Sequence, residues 1–201
     1  MTSNNYSTSP SLSDGESTLL RFDQTISFSE IDPVSNQERI YRSHNASENV
    51  MTLVRLKSRS FGAKIEKIVR EIFGFSKCRT THYDHVYPLT TTNVRIEQKS
   101  SRYWMNNNKL DFKWQHIEPK HEFDILLLVG VSFRRLRYYI LTKQEVEDLI
   151  NAGVITKQGG GDGQGYWVNL NDIKSYYRSN NSRFHAIRDT HIQDYIRSRL
   201  H

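Results

Sequence analysis

Cysteine is almost absent from this chain: Cys78 is the single one among 201 residues. A lone cysteine excludes an internal disulfide and a zinc site built from cysteines, and it fits a reducing compartment. Long apolar runs are also missing, because the longest, residues 125–131, is far too short to span a bilayer. No signal peptide is recognisable. We therefore expect a protein that is not secreted and binds no membrane, located in the cytoplasm or associated with a nucleoid or nucleus.

The size and charge of the chain further restrict the class of protein and the kind of partner. Its length suggests one domain with a core that needs no covalent staples. Lysine and arginine outnumber aspartate and glutamate by 28 to 22, a net charge of +6, and the mean hydropathy is −0.68. Residues 1–18 are rich in serine, threonine and asparagine and predict a disordered tail before a single domain over residues 19–201. The excess of positive charge favours a polyanionic partner such as nucleic acid.

Two neighbouring segments carry the residues that are best suited to bind a metal ion or to catalyse a reaction. Residues 81–87 alternate between apolar and polar, which predicts a strand carrying Asp84. After a turn, residues 94–99 alternate again and place Glu97 and Lys99 on one face, together with Arg95. A hairpin of this kind brings two carboxylates together and sets an ammonium beside them. Such a group can hold a hard cation and polarise a water molecule, as metal-assisted phosphodiester hydrolysis requires.

The segments on either side of this hairpin predict helices and strands. Within residues 51–73 the sequence predicts a helix with an apolar stripe over residues 65–73, a start capped by Ser58 or Ser60 and an end at Gly74. Residues 100–122 predict a loop with a short helix near residues 112–117. Residues 123–131 are almost continuously apolar, which is typical of a central strand buried on both faces of a mixed or parallel sheet.

The C-terminal half continues with shorter elements. We expect a strand over residues 137–141 and a helix to residue 150, opened by a capping box at Thr142. Residues 157–165 hold five of the ten glycines, which predicts a flexible hairpin tip, and residues 166–170 predict a strand. A second capping box at Thr190 predicts an amphipathic terminal helix.

This order of elements, with an acidic residue on one strand and Glu-x-Lys on the next, resembles the core of the PD-(D/E)xK nuclease superfamily, to which many type II restriction endonucleases belong. The separation between Asp84 and Glu97, 97 − 84 = 13 residues, falls within the range of such nucleases. Tyr83 stands where the motif has proline. The resemblance implies an α/β, restriction-endonuclease-like fold with a mixed central sheet flanked by helices. Its core would span about residues 61–150, with a DNA-contact or dimerisation extension over residues 151–201.

The resemblance also implies a role for each motif residue. Asp84 and Glu97 would bind Mg²⁺ together with the backbone carbonyl of Gln98, and Lys99 would lie beside the attacking water or the scissile phosphate. Glu66 matches the acidic residue of the first core helix, and Glu71 is the other candidate there. Gly62 would ease close approach of that helix to the sheet.

Each of these residues also has a plainer interpretation. Glu97 and Lys99 on one strand face are often a solvated edge, and Glu66 with Arg70 has the spacing of a surface ion pair. A further argument favours a site: a central strand with three charges needs a reason to carry them, because unpaired buried charge is unfavourable. His82 and His85 point to opposite faces of a strand, so we reject them as a metal pair. DNA contacts are expected from two glutamines of the glycine-rich segment and four arginines elsewhere: Gln158, Gln164, Arg134, Arg135, Arg178 and Arg183.

The sequence therefore predicts a Mg²⁺-dependent, site-specific endonuclease acting on double-stranded DNA. A homodimer is expected because one active site per strand suits a palindromic target, with the terminal helix or the segment before Phe61 as the interface. Two alternatives stay open. One is a DNA repair, recombination or viral genome-processing nuclease of the same fold. The other is a non-catalytic, basic nucleic-acid-binding module.

Overall fold

The computed structural model describes residues 35–159 and 165–200, which form a mixed α/β structure. The predicted tail over residues 1–18 lies outside these residues. The helices are α1 (Asn36–Ser43), α2 (Glu48–Val54), α3 (Ser58–Phe73), α4 (Lys143–Asn151), α5 (Leu170–Ser179) and α6 (Ile192–Arg199). The strands are β1 (Ser76–Lys77), β2 (His85–Pro88), β3 (Asn93–Asn106), β4 (Lys109–Ile117), β5 (Ile125–Val131), β6 (Leu136–Thr142), β7 (Thr156–Lys157) and β8 (Tyr166–Asn169). None of the helices in this part of the chain is both long and apolar enough to span a membrane.

Strand β3 organises the sheet because it pairs with three other strands. It runs antiparallel to β2 and parallel to β5, and β5 runs antiparallel to β6. The far end of β3 pairs with β4, and the sheet continues through β8 to β7. The predicted mixed sheet flanked by helices is therefore present, in the predicted order of α3, β2, β3, β5, β6 and α4, with β4 as an additional strand.

Strand β5 is buried on both faces, as its continuous apolar sequence predicts. Ile125 and Leu127 lie in one hydrophobic cluster with α3 and α6, whereas Leu126 and Leu128 lie in a second cluster with α4 and α5. Because successive side chains of a strand point to opposite faces, one strand contributes to both layers of the core.

Helix α3 buries its predicted stripe, including Ile65 and Val69, and ends at Gly74, whose φ of 65° is favourable for glycine. The helix begins at Ser58, close to the predicted start, but the predicted serine cap is absent. Lys57 is the N-cap residue, and no side chain caps the helix.

The prediction of a loop and a short helix over residues 100–122 is wrong. Strand β3 continues to Asn106 and β4 follows it after two residues, Asn107 and Asn108, whose φ values of 48° and 60° suit a tight hairpin turn. Phe112 and Trp114 of β4 are fully buried, so this hairpin is part of the core.

Two capping boxes were predicted, and one is present. Thr142 accepts from the Glu145 amide, and the Glu145 side chain accepts from the Thr142 amide at the start of α4. At Thr190 the prediction is wrong, because a 3₁₀ turn over Asp189–His191 precedes α6, which has no side-chain cap. The apolar residues Ile192 and Ile196 of α6 are buried in the core of the chain itself, so that face is not free to form a dimer interface.

Candidate active site

The candidate site lies where β3 loses a strand partner on one side. Strand β2 pairs with residues 93–96 of β3, and β4 pairs with residues 103–106. Among the described strands, residues 97–102 therefore have a neighbour only on the β5 side. This gap opens into a cleft of about 610 Å³ between α3, β3 and β4, lined by side chains that include Phe61, Glu66, Lys99, Arg102, Trp104, Lys113, Gln115 and His116.

Asp84 is held at the start of this gap by the backbone of β3. The sequence predicted that Asp84 lies within a strand, but β2 begins one residue later, at His85. Its amide donates to the Ile96 carbonyl at 3.0 Å, and its Oδ2 accepts from the Gln98 amide at 2.8 Å. The carboxylate thus takes the place of the next strand partner. Since carbonyls of alternate strand residues point the same way, the Gln98 carbonyl faces the same side as Asp84.

Glu97 is the most deeply buried acidic residue of the site, with 4% of its surface exposed. Its Oε1 lies 2.5 Å from Nζ of Lys99, which is the predicted juxtaposition on one strand face. Burial raises the pKa of the Glu97 carboxyl to about 7, and the negative charges of Asp84 and Glu66 act in the same direction against the opposing charge of Lys99. Any additional positive charge near this carboxyl would stabilise its ionised form.

Glu66 projects from α3 into the same cleft. Burial raises the pKa of its carboxyl, and the charge of Asp84 raises it further, whereas Arg70, 3.8 Å away, and Lys99 oppose the increase. The predicted ion pair with Arg70 is therefore present, but the residue also belongs to the acidic cluster. Glu71 instead pairs with Lys67 at 3.9 Å and has 46% of its side chain exposed, so Glu66 is the helix carboxylate of the cleft.

Gly62 and Arg95 do not have the roles expected from the sequence. A side chain at Gly62 would meet no atom within 4 Å, so Gly62 is not needed for close approach to the sheet. Arg95 does not need the site to balance its charge, because it makes two hydrogen bonds to Asp124, from Nη2 at 2.7 Å and from Nε at 3.1 Å. Glu97 and Lys99 in turn pair with each other, so none of the three charges on this strand is left without a partner.

A histidine pair near Lys99 was not predicted as part of the site. The rings of His82 and His121 stack with their centroids 5.2 Å apart and 7° between their planes. Burial lowers the pKa of His121, and the charge of Lys99 contributes to the same effect. His85, by contrast, is buried and contacts the Gln98 side chain, with Nε2 2.8 Å from Oε1. The two histidines therefore have different neighbours, but His82 lies before β2, so they do not alternate along one strand as predicted.

The cleft wall formed by β4 was also missed. Phe112 and Trp114 alternate with Lys113 and Gln115, which is the period of a strand with one buried face. That alternation was the available signal, and the surrounding amides and aromatic residues obscured it.

The predicted DNA contacts are spread over the molecule, and the described ones lie outside the cleft lining. Arg134 and Arg135 are exposed in the turn between β5 and β6, and Arg178 and Arg183 are exposed in and after α5. Gln158 is half-buried beside β7, and its amide donates to the Gly165 carbonyl at 2.8 Å. Gln164 lies outside the described residues.

The donor groups at the gap fit a hard cation, although they are few. Within residues 35–159 and 165–200, no three His, Cys, Asp or Glu side chains form a ready-made metal site. The available donors are instead the carboxylates of Asp84 and Glu97 and the carbonyl of Gln98, all oxygen atoms of the kind that Mg²⁺ prefers.

No protein-family model matches this chain, and no curated protein matches its sequence. Among solved structures it is similar to that of a bacterial homing endonuclease, I-Ssp6803I, with 14% identity and a TM-score of 0.37. The matched region covers 57% of this chain and 76% of that chain. The function of the site has to be inferred from its own geometry.

Proposed function

We propose that this protein is a Mg²⁺-dependent endonuclease that hydrolyses phosphodiester bonds of double-stranded DNA at specific sites, as type II restriction endonucleases do. The observation that carries the proposal is the convergence of Asp84, Glu97 and Lys99, with Glu66 from α3, at a gap in the sheet that opens into a cleft. The order of core elements supports a PD-(D/E)xK-like fold. The excess of basic residues supports a polyanionic substrate.

The chain offers a place for the metal and for the water. Asp84, Glu97 and the Gln98 carbonyl would hold Mg²⁺, which when bound neutralises charge on the scissile phosphate and lowers the pKa of a bound water. The hydrogen bond from the Gln98 amide to Asp84 fixes the Asp84 carboxylate relative to the Gln98 carbonyl. Burial disfavours the bare carboxylate of Glu97, which is why its pKa is raised, and a cation beside it would offset that cost.

Lys99 and Glu66 would act on the reacting atoms. The Lys99 ammonium, about one-fifth exposed, can donate to a phosphate oxygen and stabilise the negative charge that develops there. Glu66, whose pKa is raised, is suited to accept a proton from the attacking water. Water attacks phosphorus in line, the bond to the 3′ oxygen breaks, and the products are a 5′-phosphate and a 3′-hydroxyl.

The direct test is cleavage of supercoiled plasmid DNA in the presence of Mg²⁺. The wild-type protein should produce discrete linear fragments, and Glu97→Ala and Lys99→Ala should abolish them while Glu71→Ala does not. Absence of cleavage by folded wild-type protein, or full cleavage by Glu97→Ala, would contradict the proposal. DNA binding without metal and without any cleavage would favour a non-catalytic binding module instead.

We propose a two-fold dimer as the acting species, since two active sites can then cut both strands of a palindromic site. Because the apolar face of α6 is buried in its own chain, the interface has to use other surfaces. Sedimentation of the protein with and without a cleavable duplex tests this: a monomer in both conditions that still cuts both strands would contradict it.

A further inference from the structure

The cleft has a second polar wall on β4, which also lines it, and this strand contains a β-bulge. Trp114 pairs with Val168 of β8, but the next pair joins Ile117 to Tyr166. Gln115 and His116 therefore stand opposite a single residue of β8. One extra residue in a strand re-aims the side chains beside it, and such bulges occur often next to active sites.

The bulge places two adjacent polar side chains on the same side of β4. Trp114 and Ile117 are both buried, although an unbroken strand would point residues three apart to opposite faces. Gln115 and His116, between them, are exposed and line the cleft. His116 has a φ of 57°, a left-handed conformation that is uncommon for residues other than glycine. Such conformations persist only where the surrounding structure holds them, and they cluster at active sites and ligand-binding positions.

Lys113 lies on the same wall and its ammonium is held by aromatic rings. Nζ is 4.0 Å from the ring centroid of Trp167 and 5.3 Å from that of Trp104. These cation–π contacts restrict the side chain without neutralising its charge. The wall therefore presents a fixed cation next to the amide of Gln115 and the imidazole of His116, a set of groups that suits a phosphate oxygen.

We propose that Lys113, Gln115 and His116 form a second phosphate subsite, which binds a backbone phosphate of the DNA strand near the one that is cut. The proposal rests on the proposed function of the cleft, and it deepens that function by assigning the wall that positions the strand. A nucleic-acid backbone is favoured over a small anion because the subsite shares one continuous cleft with Lys99. A polyanionic strand can occupy both cationic positions at once.

Binding without cleavage tests the subsite independently of catalysis. The parent protein is Glu97→Gln in EDTA, and the probe is a fluorescent duplex whose Kd is measured over a range of salt concentrations. Lys113→Gln should weaken binding about tenfold and reduce the slope of log K against log salt by about 0.9, the value for one phosphate contact. Lys109→Gln, at the exposed start of the same strand, is the matched control and should change neither quantity.

His116→Gly separates binding from folding. Glycine adopts the left-handed conformation freely, so this variant should keep or raise the melting temperature while it weakens binding. Lys113→Gln and His116→Gly proteins that bind the duplex like the Lys109→Gln control would overturn the subsite and leave the proposed function intact. A parent protein that binds no duplex either in EDTA or with Mg²⁺ would instead contradict the proposed function, and the subsite with it.

Discussion

Replacing Glu97 by glutamine is expected to stabilise the metal-free protein at pH 8 while it abolishes cleavage. The Glu97 carboxyl is 4% exposed, and its pKa is raised to about 7, chiefly by burial. The difference from the ordinary value of 4.5 corresponds to about 3 kcal/mol between the two protonation states. Because that pKa already reflects the favourable charge of Lys99, the figure includes the ion pair that the substitution removes.

The folded protein holds the Glu97 proton more tightly than the unfolded chain does, because the pKa of Glu97 is higher in the folded state. Stability is therefore lost as the pH rises from about 4.5 to about 7. Glutamine has nearly the same shape and no charge to desolvate. The substitution should therefore raise the free energy of unfolding by less than about 1 kcal/mol at pH 5 and by about 3 kcal/mol at pH 8.

Urea unfolding in EDTA at the two pH values measures this difference. Glu71→Gln is the matched control, because its side chain is 46% exposed, and it should change stability by no more than about 0.5 kcal/mol at either pH. A Glu97→Gln protein that is destabilised equally at pH 5 and pH 8 would refute the reasoning. Stabilisation at pH 8 without loss of cleavage would instead separate the buried carboxyl from catalysis.

Three further outcomes can be checked with the same protein. Mg²⁺ at about one hundred times its Kd should raise the wild-type free energy of unfolding by about 2.7 kcal/mol, and Glu97→Gln should show a much smaller increase in the same titration. Gly130→Ala should destabilise the protein by about 1–3 kcal/mol in urea, because its new Cβ would lie 2.6 Å from the buried Phe112 ring, and Phe112→Leu should relieve part of that loss in the double variant. Thr142→Ala should lower the free energy of unfolding by about 1 kcal/mol through loss of the capping box, whereas Thr190→Ala, which caps no helix, should leave it nearly unchanged; equal effects would contradict the capping interpretation.

The parts of the fold that the sequence predicts are those with a strong local pattern. The continuous apolar run of β5, the stripe of α3 and the capping box at Thr142 each determine structure within a few residues. The contact of Glu97 with Lys99 follows from the same kind of rule, because residues two apart on a strand share a face.

The failures have identifiable physical causes. In β4 the alternation covers only Phe112 to Gln115 before the bulge ends it, so the strand pattern is too short to stand out among the amides and aromatic residues around it. Arg95 finds its partner in Asp124, 29 residues away, and no local rule shows such a pair. Glu66 has the same helical spacing to Arg70 as a purely superficial ion pair, and only tertiary packing places it near Asp84.

The gap in the sheet has a further consequence for how the protein behaves in solution. A strand edge with unpaired backbone groups invites pairing with another chain, and proteins normally protect their outer edges against this. Here the open edge of β3 is internal, and it ends at β2 on one side and at β4 on the other. The six residues between them are too confined to accept a long strand from a second molecule. The protein can therefore expose backbone inside the cleft without offering a template for aggregation.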